Sequence, residues 1–249
     1  MATVLLIRHG RSSANTEGIL AGRSPGVHLD DTGRSQAEVT GARVSVLPLA
    51  AIVTSPLERC RETAVTLARH QSGSPRPHID RRFTECGYGA WTGQQLKLLA
   101  KDPLWKTVQH HPSAVAFPDG ESMVDMQRRA VVGVRAWDQR VQADHGPDAV
   151  WAVVSHADVL KAVLAEALGM HLDMFQRIII DPGSVSVVHF TPLRPFVLRQ
   201  NDSGSDLSSL RPPARKRRRK SSSDAPVGGG AGPADGGAPA VRAAPRHTT

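Results

Sequence analysis

Residues Ala2 to Ile7 form an apolar run, and the three residues that follow it are Arg8, His9 and Gly10. A run so short and without polar alternation reads as a strand buried on both faces, as in a parallel sheet. No hydrophobic core accommodates an Arg-His pair, so the strand must deliver those side chains to an edge where they act. Ala51 to Thr54 and Ala149 to Ser155 repeat the pattern. Helical periodicity fills the intervals between the three runs. Alternating strands and helices predict an α/β fold with right-handed crossovers.

The helices have readable ends. Ser55-Pro56-Leu57-Glu58 predicts a start with Ser55 as N-cap, Pro56 at the first helical position and Glu58 completing a capping box. Cys60, Ala64, Leu67 and Ala68 then supply a buried stripe. Further helices are predicted over 33–46, 124–143 and 158–168, the last stopped by Gly169. Ser184 to Phe190 and Pro195 to Leu198 read as an antiparallel pair joined through Thr191 to Arg194. Folded structure is expected to end near Asp202.

The formal charge of +8 is unevenly placed. Residues 203–249 hold nine Lys/Arg against three Asp/Glu, leaving only +2 for residues 1–202. The domain division expected is therefore 1–202, folded, and 203–249, a basic tail rich in Ser, Pro, Gly and Ala that has too little apolar material to offset its ordering entropy. No apolar run approaches the ~20 residues of a membrane helix, and the early Arg8-His9 pair argues against a cleaved leader. Cys60 and Cys86 form neither a disulfide framework nor a metal-spaced cluster. These features suit a reducing cytoplasm without membrane attachment. Arg outnumbers Lys 25 to 6, as a GC-rich bacterial genome would dictate.

Ligands of an open parallel sheet bind beyond the carboxyl ends of its strands. Three such ends carry unusual residues here. One bears Arg8-His9-Gly10, the next leads through Ser55-Pro56-Leu57 to Arg59, and another carries Ser155-His156-Ala157-Asp158. Guanidinium forks match phosphate oxygens, and a neutral imidazole is a competent nucleophile toward phosphorus. Two imidazoles and two guanidiniums at one edge thus predict an anion site that contains a nucleophile.

The chain resembles the histidine phosphatase superfamily, which includes the phosphoglycerate mutases, over roughly residues 3–200. The matching motifs are Arg8-His9-Gly10 with Asn15 behind it, Ser55-Pro56-Leu57-Glu58-Arg59 running into Thr63-Ala64, Glu85 ahead of Tyr88-Gly89-Ala90-Trp91-Thr92-Gly93, Phe117 to Ser122, and His156. The fold class expected is a three-layer α/β sandwich with a mostly parallel central sheet flanked by helices, plus a disordered C-terminal tail. The resemblance implies a metal-independent phosphatase that hydrolyses a small phosphate monoester through a phosphohistidine on His9. Arg8, Arg59 and His156 would hold the phosphoryl oxygens, and Glu85 would serve as acid and then as base. Asn15, Ser12, Gly22, Arg23 and Ala157 are implied as further substrate contacts; Arg11 departs from the family, standing where many relatives carry Glu or Gln, and as a second cation beside His9 it would suit a substrate with another anionic group.

No metal or other cofactor is expected. His110-His111 and His156 with Asp158 lack a third ligand at structural spacing, and Asp158 reads as a helix-capping residue. Cys60 and Cys86 read as buried inert thiols. Hydrolysis is favoured over phosphomutase chemistry because only 71 positions separate Glu85 from His156 and because the C-terminus is of low complexity. A third reading, a noncatalytic polyanion-binding protein, rests on Arg215-Lys216-Arg217-Arg218-Arg219-Lys220. Six successive cations bind polyanions weakly, but no aromatic residue lies among them for stacking. The sequence leaves the leaving alcohol and the oligomeric state open.

Overall fold

A computed structural model of the chain describes residues 2–204 and 227–232. The basic run at 215–220 lies outside the described residues, as does most of the tail expected to be disordered. Along the chain the elements are β1 (Thr3–Arg8), α1 (Ser13–Glu17), α2 (Asp31–Val44), β2 (Leu49–Thr54), α3 (Glu58–Arg69), β3 (His78–Ile79), α4 (Leu96–Leu99), α5 (Pro103–His110), α6 (Met123–His145), β4 (Val150–Ser155), α7 (Ala157–Ala167), β5 (Val185–Phe190) and β6 (Pro195–Asp202). The six strands form one sheet in the order β3-β2-β4-β1-β5-β6. β1, β2, β3 and β4 run parallel, while β5 and β6 join antiparallel beyond β1.

The alternation of side chains along a strand sets the layers. In β1, Val4 and Leu6 enter one apolar cluster with Val153, Val159 and Val163, whereas Leu5 and Ile7 enter a second with Val44, Ile52, Ala64 and Leu67. Helices α6 and α7 therefore cover one face and α2 and α3 the other. This is the three-layer sandwich with a mostly parallel sheet that the sequence led us to expect.

The start of α3 departs from expectation. Its N-cap is Leu57, which makes no side-chain cap bond. Ser55 lies two residues earlier, and its Oγ is 2.8 Å from His156 Nε2. Glu58 accepts instead from the Gly26 N–H at 3.2 Å. The helix therefore starts two residues later than the capping-box pattern predicts, with Pro56 outside it and Glu58 as its first residue, because the serine is drawn to a ring nitrogen of the neighbouring strand end.

Gly10 is required by packing. A Cβ there would stand 2.2 Å from the carbonyl oxygen of Gly33, and one on Gly33 would stand 1.9 Å from that of Arg11. The first turn of α2 lies directly against the β1 exit, and only two glycines allow it.

Candidate active site

The carboxyl ends of β1, β2 and β4 lie side by side because these strands are sheet neighbours. The ladder extends past the strands: His9 N–H donates to Ser155 O at 3.0 Å and Ser55 N–H to Val154 O at 3.0 Å. The His9 and His156 rings meet edge to face with centroids 5.2 Å apart. Arg8, His9, Arg59, Glu85 and His156 are all buried. A cavity of about 30 Å³ is lined by His9, Ser12, Asn15, Gly22, Arg59 and Glu85, among others.

Hydrogen bonding gives the two imidazoles different states. His9 Nδ1 is 2.7 Å from Gly10 O. A carbonyl oxygen only accepts, so Nδ1 carries the proton and a neutral ring has its lone pair on Nε2. Burial, then Arg59 and Arg8, hold the His9 pKa well below its ordinary value, so the ring is neutral near pH 7. For His156 the logic reverses. Arg59 Nη2 stands 3.2 Å from Nδ1 and can only donate, so the lone pair is on Nδ1 and the Nε2 proton points to Ser55 Oγ. Burial, Arg59 and His9 lower its pKa in turn.

Glu85 is a buried carboxyl with a raised pKa. Burial first, then the charge of Asp158, push its pKa up to about 7 against the opposing pull of Arg59. Its Oε1 accepts from Cys86 N–H at 2.9 Å, which leaves Oε2 to carry the proton. That oxygen is 3.7 Å from His156 Nδ1. Since the imidazole is held neutral and the carboxyl is half protonated near pH 7, this contact is not an ion pair. The backbone carbonyl of Glu85 is fixed by Arg23 Nε at 2.8 Å and Arg129 Nη2 at 3.1 Å, and Arg129 is itself forked onto Glu121.

The guanidiniums are anchored by carbonyls and keep donors in reserve. Arg8 Nη1 donates to Ile180 O and Arg59 Nη2 to Gly22 O. Arg8 Nε and Arg59 Nη1 are buried without an acceptor among the described residues, an arrangement suited to a multiply charged oxyanion. Burial brings the Arg8 pKa down to about 10, still well above neutrality.

Other expected site residues are distributed unevenly. Ser12, Asn15 and Gly22 line the cavity, with Asn15 Oδ1 accepting from Ser12 N–H and Oγ–H. Ala157 is buried at the start of α7. Arg11 turns aside: its Nε bonds Asp30 at 2.7 Å and its Nη2 bonds Thr32, so the second cation expected beside His9 is committed elsewhere. Arg23 lines a separate, more open depression with Glu121 and acts on Glu85 through its backbone. Burial pushes the Cys60 thiol up to about 12, which keeps it a thiol.

Several groups escaped sequence reading. Asp158 is fully buried, accepts from Tyr88 Oη–H at 2.8 Å and pairs with Lys161 at 3.4 Å. A helix-capping aspartate and a helix-interior lysine gave no hint of this. Val227 to Gly230 also line the cavity. Among the described residues, no three His, Cys, Asp or Glu side chains are grouped to hold a metal ion, and no helix is long and apolar enough to cross a membrane.

An α/β sheet whose carboxyl edge presents paired imidazoles between guanidiniums defines an oxyanion-handling enzyme. Residues 4–203 match the histidine phosphatase superfamily (branch 1), and the chain belongs to that family. It is a phosphohydrolase of that class, as its relatives' names show. It is 28% identical over 206 residues to phosphoserine phosphatase 1 of Hydrogenobacter thermophilus, covering 81% of this chain and 92% of that one. With the glucosyl-3-phosphoglycerate phosphatase of Mycolicibacterium vanbaalenii it shares 31% identity, covering 68% and 76%. Among solved structures, Bacillus stearothermophilus YhfR superposes with a TM-score of 0.72 at 28% identity, covering 81% of this chain and 98% of that one.

Proposed function

We propose that the chain hydrolyses a small phosphate monoester in two steps without a metal ion, with His9 as the nucleophile. The observation that carries this is the Nδ1 bond of His9 to Gly10 O, which leaves Nε2 as the lone-pair nitrogen of a neutral ring between two arginines. In the first step Nε2 attacks phosphorus, the N–P bond forms and the P–O bond to the alcohol breaks. Glu85 gives its proton to the departing oxygen. In the second, the Glu85 carboxylate takes a proton from water, whose oxygen attacks phosphorus and frees the imidazole. Arg8 and Arg59 offset the phosphoryl charge throughout. The charge of a bound phosphate dianion raises the His156 pKa, so that Nδ1 takes a proton from the medium and His156 serves as a further contact to a phosphoryl oxygen. Phosphoserine and phosphoglycerate esters head the substrate panel, following the names of the relatives.

The test is hydrolysis of an aryl phosphate in EDTA with rapid-quench mass analysis. Parent enzyme should show a phosphorylated His9 peptide at short times, and His9→Ala should show neither peptide nor turnover. Turnover with no phosphopeptide in the parent, and its survival in His9→Ala, would overturn the reading.

A phosphomutase reading gains from one observation. The low-complexity C-terminus counted against it in sequence, yet Val227 to Gly230 line the cavity. Phosphoglycerate supplied with its bisphosphate decides between them: transfer between carbons without release of phosphate marks the mutase.

A further inference from the structure

Four residues of the C-terminal region lie in the site itself. Gly230 O accepts from Arg8 Nη2 at 2.7 Å, and Gly228 N–H donates to Asp158 Oδ2 at 3.0 Å. Val227 is 1% exposed and joins the apolar cluster that holds Leu20 and Tyr88. The fit requires glycine. Gly228 and Gly229 have φ of 72° and 74°, a region that side-chain-bearing residues rarely adopt. A Cβ on Gly229 would stand 2.4 Å from Ala157 Cβ and 2.9 Å from Arg8 Cζ, and one on Gly228 would stand 2.7 Å from Leu20 Cδ1.

We propose that Val227–Gly230 is a self-binding strap that occupies the anion site of this chain and competes with substrate for it. This rests on the reading of Arg8, His9 and Arg59 as the phosphate site. The chemistry of the contact favours competition over completion of the site. A carbonyl oxygen and a phosphate oxygen are both acceptors, so the Arg8 Nη2 proton given to Gly230 is withheld from a phosphoryl group. A segment built to assist phosphate binding would present N–H groups to the pocket, not a carbonyl to its clamp. The space left beneath the strap is about 30 Å³, room for about two waters at roughly 10–15 Å³ each. A phosphate monoester enters only when the strap leaves.

The experiment compares full-length parent with full-length Gly229→Val, measuring kcat and KM for an aryl phosphate, and follows amide hydrogen exchange at Gly228 in the parent with and without inorganic phosphate. For a strap closed about nine-tenths of the time, expelling it lowers KM about tenfold while kcat stays the same. Exchange at Gly228 should be slow without phosphate and fast at saturating phosphate. An unchanged KM, or a lowered kcat with a raised KM as for a roof that completes the site, would overturn the proposal. So would fast exchange at Gly228 without phosphate, or protection that persists when phosphate saturates. Should Gly229→Val not fold, the exchange pair decides alone. Absence of turnover in both proteins would instead refute the phosphatase reading, with the exchange result still standing for the strap.

Discussion

The exits of β1 and β4 are built alike and behave differently. Each neighbouring parallel strand hands a buried histidine to the same edge of the sheet, and the rings touch. At the β1 exit a carbonyl fixes the proton on Nδ1; at the β4 exit an arginine and a serine fix it on Nε2. Position in the fold therefore brings both imidazoles to one edge of the sheet; on the proposed mechanism His9 is the ring that attacks, because the His156 Nδ1 lone pair already accepts from Arg59 at 3.2 Å.

The largest effect should come from exchanging the roles. His9→Ala should lower kcat by at least about a thousandfold, since covalent steps vanish with their nucleophile. His156→Ala should cost less, about a hundredfold, as expected for one charge-stabilising contact. The two are separated by rapid-quench trapping: His156→Ala should still yield the phosphohistidine, formed slowly. Trapping in His9→Ala but not in His156→Ala would reverse the assignment.

Glu85 comes next. With a pKa of about 7 set by burial and Asp158, the protonated form is lost as pH rises, so kcat/KM should fall about tenfold per unit above that value. In the phosphorylation step Glu85→Gln should lose about a hundredfold with esters of poor leaving groups and little with an activated aryl ester that departs unprotonated, while hydrolysis of the phosphohistidine should be slowed for both. A parent profile flat to pH 9 would remove Glu85 from the acid role.

How legible these differences were follows from their physical origin. The three strands, the late antiparallel pair and the helices α2, α6 and α7 show in sequence because burial imposes periodicity within each element. The site residues carried on those strand ends show for the same reason: charge at the end of an apolar run is conspicuous. Ser55 was misread because its local pattern is that of a helix cap, and only the β2–β4 pairing brings it to His156. Tyr88 meets Asp158 through α7 packing across 70 positions, which no window along the chain contains. Arg11 looked like a substrate cation until Asp30, from the loop ahead of α2, claimed it. The glycines near 228 read as low complexity, although two of them stand where a side chain would collide.

Ser55→Ala sharpens the comparison of the two rings most directly. It removes the acceptor of the His156 Nε2 proton without touching His9, so kcat should fall about tenfold, the cost of one buried hydrogen bond. The loss should be rescued in Ser55→Thr, which retains the hydroxyl. A similar loss in both variants would show that packing at 55 matters and the hydrogen bond does not.

The smallest effect is on stability. Two histidines with folded pKa values below their unfolded ones bind fewer protons folded than unfolded, so they make stability fall as pH drops below about 6.5. Glu85 acts in the opposite sense, because its folded pKa exceeds the unfolded one and its contribution is lost as pH rises from about 4.5 toward 7. Glu85→Gln should therefore leave stability near pH 4.5 almost unchanged and raise it at pH 8 by about 3 kcal/mol, seen as a higher denaturation midpoint in urea. Stabilisation of equal size at both pH values would mean that the carboxyl is not forced to ionise in a buried site, and the acid role assigned to it would lose its physical cause.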